Sequence, residues 1–267
     1  MNKITGTIIT LNAEKYIQRA IESLKSICDE VVVLDSESTD STREIALKYG
    51  AKVFVQPFLG DGGQKKEASK FSKNNWIFSM DADEYLENDL IEFIKRINFD
   101  DDYDSYSFRR KNYCGDEWIK AAGFYPDEVT RLYDKTKVNY DTRADHAAVV
   151  SAKKYKSNTH IIHNTYESME EWVDKMNFRS SMSAQQLFKD GIKPSSIRPI
   201  TRSIFAFFKK LIIKGGLFQG RNGFKVALTT MFNTYLKYTK LNDLYQKKNN
   251  SERNERLDEE INVVRDS

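Results

Sequence analysis

The sequence predicts an α/β fold in which a mostly parallel sheet is flanked by helices and followed by a helical, basic C-terminal extension. Three short apolar runs alternate with amphipathic segments in the first 55 residues. Strands that alternate with helices at this spacing form parallel sheets with right-handed crossovers. A fourth apolar run, from Trp76 to Met80, ends abruptly in acidic residues. This run indicates a buried strand that leads into a polar site.

The predicted sheet begins with a strand from Ile4 to Leu11. Asn12 is the expected N-cap of the next helix, whose apolar residues between Ile17 and Ile27 share one face. The run from Glu30 to Asp35 has valine at three consecutive positions and is predicted to be a second buried strand.

The next helix is predicted to start at a capping box, because Ser41 and Glu44 have the required spacing. It is expected to end near Gly50, since glycine adopts the left-handed conformation that closes helices. A third short strand follows from Val53 to Val55, and a further helix is expected from Glu87 to Ile97.

Asp81 and Asp83 lie at the C-terminal end of the fourth strand, with Ala82 between them. Because side chains alternate along a strand, both carboxylates are expected to point the same way. Two such charges are tolerated when they are solvated, or when a divalent cation with oxygen ligands lies between them. The alternative is an acidic turn that ends the strand and caps the next helix.

Thr10 and Asp35 fall at the ends of the first two strands, as the acidic pair does at the end of the fourth. Ligands of parallel α/β sheets bind beyond the carboxyl ends of the strands. We therefore expect these polar groups to face one crevice.

The glycine patterns of the chain narrow the class of ligand. Neither Gly-x-Gly-x-x-Gly after the first strand nor a P-loop occurs, which weighs against a dinucleotide oxidoreductase and a P-loop enzyme. A glycine-rich loop from Gly60 instead leads to Lys65 and Lys66, either of which is placed to meet a phosphate. An ordinary solvated loop is the alternative.

Several segments stand in a characteristic order between about Ile4 and Leu241. They are Thr7 to Asn12, Val33 to Asp40, the glycine-rich segment with Gln64 and Lys65, Ser79 to Glu84, Arg109 to Tyr113, Gly123 to Asp127, Arg131 to Tyr133, and His163 to Trp172. This order resembles glycosyltransferase family 2. More narrowly, it is similar to bacterial lipopolysaccharide core glucosyltransferases of the WaaE/KdtX type.

The resemblance implies a GT-A fold with a Rossmann-like sheet, a UDP-sugar donor, a divalent cation (Mg²⁺ or Mn²⁺) and inversion at the anomeric carbon. Inverting transfer needs one base to take the proton of the acceptor hydroxyl, while the cation stabilises the departing diphosphate. The family's base corresponds to Asp127, which we favour over Glu128. Simple turn chemistry after Pro126 is the alternative.

The resemblance also implies ligand-binding residues. Asp35 is expected to bind the base or ribose, and Asp83 is expected to hold the metal more closely than Asp81. The expected nucleotide-sugar site comprises Thr10, Asn12, Asp35, Ser38, Gln64, Lys65 and Asp81, and the expected metal site comprises Asp81, Asp83 and His146.

Two departures from the family pattern affect these expectations. Lys65 and Lys66 stand where related sequences carry Arg-Asn, and Ala144 to Ala147 stands where they carry Val-His-Glu. The second departure leaves His146 as the expected imidazole ligand, with His163 as the competing candidate. A structural role for either histidine stays open.

Length and composition predict one large α/β domain plus an appendage, in 267 residues of which 30% are charged. We expect a nucleotide-sugar-binding and catalytic domain at 1–165, a helical acceptor or membrane-associating region at 166–245, and a polar, flexible tail at 246–267. The spacing of Cys28 and Cys114 indicates neither a disulfide nor a metal site, and a strand follows Lys3 directly. These features predict a reducing cytoplasm and no signal peptide.

The C-terminal third interleaves basic and aromatic residues, with a break at Gly215 and Gly216. Such a segment suits the surface of an anionic membrane, and we expect peripheral association with the inner face of the cell membrane. A helix that packs on protein while its lysines extend to solvent is the alternative. Nucleic acid is disfavoured because no nucleic-acid-reading motif accompanies the basic residues.

The resemblance, with which the residue patterns agree, implies an inverting, metal-dependent glycosyltransferase. It is expected to move a hexose, glucose from UDP-glucose, to a lipid-linked oligosaccharide such as the inner-core heptose of lipopolysaccharide. A transferase for capsule or polyprenol-linked glycans and a catalytically silent sugar-nucleotide or membrane-binding protein are the alternatives. The sequence alone leaves the sugar, the acceptor carbon and the oligomeric state open.

Overall fold

The computed structural model describes residues 3–99, 102–120, 122–141 and 148–265. The chain divides into two compact units, of which the first comprises residues 1–118 and 124–165 and the second comprises residues 119–123 and 166–267. The strands are β1 (Ile4–Thr10), β2 (Glu30–Asp35), β3 (Lys52–Val55), β4 (Trp76–Asp81), β5 (Glu84–Leu86), β6 (Ser105–Cys114), β7 (Glu117–Trp118), β8 (Asp127–Asp134) and β9 (Lys154–Tyr166).

The first three helices alternate with the first four strands, the fourth follows β5, and the others follow β9. They are α1 (Ile17–Lys25), α2 (Thr42–Lys48), α3 (Asp61–Lys70), α4 (Asn88–Arg96), α5 (Met169–Lys189), α6 (Arg198–Phe208) and α7 (Gly220–Arg265). A π-helical turn (Lys209–Ile213) and a 3-10 turn (Gly216–Gln219) lie between α6 and α7. The α/β class predicted from the sequence is confirmed.

The sheet has the strand order β3-β2-β1-β4-β8-β6-β9-β5, with β7 paired to β6. Strands β3, β2, β1 and β4 pair in parallel, as the alternation of strands and helices predicted. Strand β8 joins β4 antiparallel and β6 joins β8 antiparallel, so the parallel part of the sheet ends at β4. Thr10 pairs with Asp35 and Ile9 pairs with Asp81, which brings the ends of three strands together.

The core of the first unit lies under this sheet. Helix α1 buries Ile17, Ala20, Ile21 and Leu24 on the face that the sequence predicted. Phe78 of β4 stacks on Phe108 of β6, and both side chains are fully buried. Burial of each such aliphatic or aromatic side chain contributes about 1.5–3 kcal/mol to stability. This packing holds in place the strands whose carboxyl ends carry the polar residues.

Two predicted helix caps differ in the structure. Asn12 has a φ of 50° and α1 begins only at Ile17, because the Asn12 side chain instead accepts a hydrogen bond from the Thr39 amide at 2.8 Å. The Ser41 side chain makes no cap hydrogen bond. Asp40 takes that role, since its Oδ1 accepts from the Thr42 amide at 3.0 Å.

Hydrogen bonds from a lysine of α7 to residues of α5 join two helices of the second unit. Lys240 of α7 donates from Nζ to the Asn177 carbonyl at 2.7 Å, to Ser180 Oγ at 2.8 Å and to Ser181 Oγ at 2.7 Å. Gly223 lies so close to Gly216 that a Cβ built on it would be 1.8 Å from the Gly216 carbonyl oxygen. Glycine is therefore required where α7 starts beside the 3-10 turn.

Helix α7 continues to Arg265, through most of the segment for which the sequence predicted a frayed polar tail. Lys, Glu and Arg, which have high helix propensity, supply nine of the 21 residues from 247 to 267. Lys248 and Glu252 also form an i, i+4 pair at 3.7 Å. Within the described ranges, no helix combines the length and the apolarity needed to cross a bilayer.

Candidate active site

The ends of β1 and β2 present a buried polar pocket. Thr10 is 5% exposed, and its Oγ1 has no hydrogen-bond partner among the described residues. Asp35 is fully buried, and its two carboxylate oxygens accept from the Ser38 amide at 2.8 Å and from Ser38 Oγ at 2.5 Å. The Asn12 amide donates to the same Ser38 Oγ at 2.8 Å. Four residues expected to bind the nucleotide are thus adjacent.

Gln64, also expected to contact the donor, is fully buried at the start of α3. Its Nε2 donates to Ser36 Oγ at 3.0 Å and to the Gln56 carbonyl at 3.3 Å, and its Oε1 accepts from the Leu59 amide at 3.3 Å. Both ends of the amide bind the protein's own groups, so Gln64 ties the first turn of α3 to the end of β2. The prediction of a glycine-rich loop is wrong for Gly62 and Gly63, which lie in that helical turn.

Asp81 at the end of β4 lies between two cations. Its Oδ1 is 2.7 Å from Lys65 Nζ, and its Oδ2 accepts from Arg131 Nη2 at 2.6 Å. Burial raises the pKa of Asp81, but attraction to Arg131 and Lys65 outweighs it and holds the pKa well below the ordinary value. Of the two lysines considered from the sequence, Lys65 is the one that faces Asp81.

Arg131 of β8 connects Asp81 to a second carboxylate, that of Glu84. The same Arg131 Nη2 donates to Glu84 Oε1, and the Glu84 side chain is completely buried. Arg110 of β6 reaches Glu84 Oε1 from Nη1 at 3.1 Å. Burial lowers the pKa of Arg131, but attraction to Asp81 and Glu84 outweighs it and raises the pKa well above its usual value. Arg131 is therefore permanently charged.

Asp127, the expected base, is the next member of this network. Its Oδ2 accepts from Arg110 Nε at 2.9 Å and from Asn112 Nδ2 at 3.1 Å, and it lies 2.8 Å from Arg110 Nη2. Its neighbour Glu128 instead pairs with Lys156 at 3.0 Å. Because successive strand residues face opposite sides, only Asp127 points into the network.

Asp83 has a different partner from Asp81, although the sequence predicted that the two carboxylates point the same way. Its Oδ2 is 3.5 Å from Nε2 of His163, and the His163 Nδ1 is 2.6 Å from Asn112 Oδ1. An amide oxygen only accepts, so Nδ1 carries a proton, and Nε2 is the ring nitrogen that faces Asp83. His146, the other imidazole candidate, lies outside the described residues.

Together these contacts form a continuous network that starts at Lys65 and ends at Asp83. Its members in order of contact are Lys65, Asp81, Arg131, Glu84, Arg110, Asp127, Asn112, His163 and Asp83. The sequence analysis identified neither Glu84, Arg110, Asn112 nor Arg131 as site residues. All four residues lie in segments that match the resembled family, and this match could have indicated that they belong to the site.

Comparison with known proteins gives a family match over most of the first unit. The family model described as Glycosyl transferase family 2 matches residues 7–159. The chain is 38% identical over 256 residues to an uncharacterized glycosyltransferase of Rickettsia bellii, covering 91% of this chain and 87% of the relative. It is 28% identical over 254 residues to the lipopolysaccharide core biosynthesis glycosyltransferase LpsC of Rhizobium meliloti, covering 89% and 91%.

Solved structures that the comparison matched include S. aureus TarS 1-349. The match has a TM-score of 0.46 and 15% sequence identity, and it covers 92% of each chain. Another is glucosyl-3-phosphoglycerate synthase from Mycobacterium tuberculosis, in complex with Mn²⁺, UDP and glucosyl-3-phosphoglycerate. It has a TM-score of 0.46 and 17% identity over 73% of this chain and 82% of that one.

Proposed function

The chain belongs to glycosyl transferase family 2, and from this premise we propose that it moves glucose from UDP-glucose to a lipid-linked oligosaccharide such as the inner-core heptose of lipopolysaccharide. The observation that carries this proposal is the network from Lys65 to Asp83, which joins the predicted base to the predicted donor-binding edge. The name of the relative LpsC supports lipopolysaccharide core as the acceptor class.

The donor is proposed to bind across the ends of β1, β2 and β4. Thr10 Oγ1 offers a buried group that has no partner among the described residues, and Asp35 lies beside it in the sheet. We assign these two residues, with Asn12 and Ser38, to the nucleoside. Lys65 offers an ammonium at the same edge, and charge-assisted contacts of this kind bind phosphate strongly.

The charges of the network suit a diphosphate. Lys65, Arg110 and Arg131 carry three positive charges, whereas Asp81, Asp83, Glu84 and Asp127 carry four negative charges. These seven side chains, counted without His163, have a net charge of −1, so a divalent cation changes the net charge to +1. The cation thereby makes the site attractive to the donor.

Asp83 and His163 fit such a cation. A carboxylate oxygen and an imidazole nitrogen 3.5 Å apart are the donor types that Mn²⁺ accepts, and Asn112 fixes the ring in the tautomer that a metal requires. When bound, the cation supplies electrostatic stabilisation to the departing diphosphate. We therefore assign Asp83 and His163, rather than Asp81, to the cation.

Asp127 is proposed to act as the general base. All of its hydrogen bonds to described residues fall on Oδ2, which leaves Oδ1 to take the proton of the acceptor hydroxyl. That hydroxyl oxygen then bonds to the anomeric carbon while the bond from this carbon to the diphosphate breaks. Arg110 and Asn112 hold the carboxylate in place, which is how a positioned base accelerates transfer.

Replacing Asp83 by alanine is expected to remove the dependence of UDP binding on the cation, because the carboxylate of the assigned metal site is lost. Calorimetric titration of UDP with and without Mn²⁺ measures this difference. Asp116→Asn, an exposed turn carboxylate on the same unit, is the control and should bind as the wild type does. Cation-dependent UDP binding retained in Asp83→Ala would contradict the assignment.

The second unit is proposed to lie on an anionic membrane surface. Ile213, Leu217 and Phe218 are 69%, 62% and 89% exposed around the turn between α6 and α7. Lys209 and Lys214 are exposed on the same segment. Apolar side chains next to cations bind the interface of anionic bilayers, where each nearby Lys or Arg contributes about 1 kcal/mol. A protein that lies on this surface has access to an acceptor whose lipid is in the membrane.

The double variant Ile213→Ser and Phe218→Ser is expected to weaken binding to phosphatidylglycerol vesicles by about tenfold or more, because it removes two large apolar contacts. Sedimentation with vesicles measures the bound fraction, with phosphatidylcholine vesicles as the uncharged comparison. Leu47→Ser is the matched control, since Leu47 is 59% exposed on the first unit. Binding equal to that of the wild type would remove the membrane assignment.

A further inference from the structure

Glu84 is a carboxylate of the network that a substrate cannot touch. Its side chain is completely buried, whereas the Asp127 side chain is 28% exposed. A carboxylate shielded in this way neither binds the donor nor takes a proton from the acceptor hydroxyl. Buried ion pairs are costly to form, and stability alone is a weak reason for their presence in a site. Any role of Glu84 in transfer is therefore exerted through the side chains that it binds.

Three neighbouring strands deliver hydrogen-bond donors to the Glu84 carboxylate. Its Oε1 accepts from Arg110 Nη1 of β6 at 3.1 Å and from Arg131 Nη2 of β8. Its Oε2 accepts from the Asp81 amide at the end of β4 at 3.2 Å. Because a backbone amide and two cations hold the carboxylate, Glu84 is a fixed anchor for the guanidinium of Arg110.

Arg110 divides its guanidinium between two carboxylates. Its Nη1 donates to Glu84, whereas its Nε and Nη2 lie 2.9 Å and 2.8 Å from one oxygen of Asp127, Oδ2. Burial lowers the pKa of Arg110, but attraction first to Glu84 and then to Asp127 outweighs it and raises the pKa above the ordinary value. Arg110 therefore stays charged, and Glu84 is the stronger of its two partners.

This division departs from the geometry that a guanidinium adopts with a single carboxylate. Arginine commonly forms two parallel hydrogen bonds with a carboxylate, one to each oxygen. Such a pair with Asp127 would occupy Oδ1, the oxygen proposed to take the proton of the acceptor hydroxyl. In the structure both contacts fall on Oδ2, and the bond from Nη1 to Glu84 prevents the guanidinium from turning toward Oδ1.

We propose that Glu84 is a positioning residue for the general base, because its hold on Arg110 keeps the guanidinium on Oδ2 of Asp127 and leaves Oδ1 open to the acceptor hydroxyl. This inference rests on the proposed function, since it deepens the assignment of Asp127 as the base. Glu84 acts here only through Arg110, so its effect on transfer disappears when Arg110 is removed.

A double-mutant cycle in kcat tests this dependence. Glu84→Gln keeps the shape of the side chain but removes its charge, and it is expected to lower kcat by about tenfold or more, within the loss caused by a misplaced catalytic group. Arg110→Gln is expected to lower kcat at least as much, because it removes both contacts to Asp127. The double variant should lose no more than Arg110→Gln alone, since Glu84 then has no guanidinium to hold.

Binding of UDP separates positioning from a general loss of structure. Calorimetric titration with Mn²⁺ present is expected to show that Glu84→Gln binds UDP at least as tightly as the wild type, because the variant removes a negative charge from a site for a diphosphate. A merely structural role would lower kcat and UDP affinity together. Arg110→Lys keeps the charge and leaves Glu84 in place but loses the fork of donors, so its kcat should also fall. That result does not depend on the folding of the Glu84 variant.

The next residue of β6 supplies a matched control. Lys111 Nζ lies 2.8 Å and 2.6 Å from the two carboxylate oxygens of Glu87. Because successive strand residues face opposite sides, this ion pair lies on the other face of the sheet from Arg110. Glu87→Gln and Lys111→Gln are therefore expected to keep the wild-type kcat, singly and together.

Two results would overturn the inference while transfer by the wild type continues. One is a wild-type kcat in Glu84→Gln or in Arg110→Lys. The other is a double variant of Glu84 and Arg110 in which the two single losses multiply, since Glu84 would then act independently of Arg110. Absence of transfer by the wild type itself would instead overturn the proposed function.

Discussion

Asp127→Asn is expected to lower kcat by about 10² to 10⁴-fold, the range that a general base contributes, while UDP affinity stays within about twofold of the wild type. The asparagine has nearly the same shape, and its carbonyl oxygen still accepts from Arg110 and Asn112 in the position of Asp127 Oδ2. It cannot take a proton from the acceptor hydroxyl. The expected loss therefore falls on the chemical step.

Single-turnover transfer and UDP titration, measured on the same protein, separate these two effects. Glu128→Gln is the matched control, because Glu128 is the next residue along β8 and pairs with Lys156. We expect the control to keep wild-type kcat. Full activity in Asp127→Asn, or equal losses in both variants, would assign the base to another residue.

Arg131→Met is expected to destabilise the first unit by about 3–5 kcal/mol, the cost of breaking a buried ion pair by removing one partner. The Arg131 side chain is 4% exposed and serves both Asp81 and the fully buried Glu84. Methionine fills a similar volume but leaves Arg110 as the cation beside Glu84, together with the Asp81 amide that donates to Glu84 Oε2. Asp81 and the buried Glu84 then share less positive charge than in the wild type, and this deficit opposes folding.

Urea unfolding at neutral pH measures this loss. Arg96→Met is the control, because Arg96 is 81% exposed and pairs only with exposed Glu92 among the contacts described, so its effect should be about 0.5 kcal/mol or less. The deficit of Arg131→Met should shrink in acid. The folded-state pKa of Asp81 is lowered, so the stability this carboxylate contributes is complete above its unfolded value of 3.8 and is lost as pH falls through the folded value. Equal stability of Arg131→Met and the wild type at neutral pH would contradict the energetic role of the network.

The parallel half of the fold follows from the sequence because its signals are local. Alternating apolar runs and amphipathic helices specify β1 to β4 and their direction, and strand ends then place Thr10, Asp35 and Asp81 at one edge. None of this requires knowledge of distant contacts. The helix caps were harder to predict, because the Asn12 side chain binds the Thr39 amide of another loop and Asp40, rather than Ser41, caps α2.

The second half of the site depends on antiparallel pairing, which local patterns do not specify. Whether Arg109 or Arg110 faces Asp127 depends on the register of β6 against β8, because a shift of one residue reverses every side chain. The antiparallel pairing of β5 with β9 brings Glu84 opposite His163, and so places His163 beside Asp83. The ion network was therefore not visible from the sequence.

Release of UDP, GDP or CMP from a panel of nucleotide sugars tests the central claim most directly. The acceptor is deacylated lipopolysaccharide core oligosaccharide, and each donor is assayed with Mn²⁺, with Mg²⁺ and with a chelator. We expect UDP release from UDP-glucose that requires both the cation and the acceptor and that Asp127→Asn abolishes. Absence of acceptor-dependent release from every donor with either cation, or equal release by Asp127→Asn, would contradict the account.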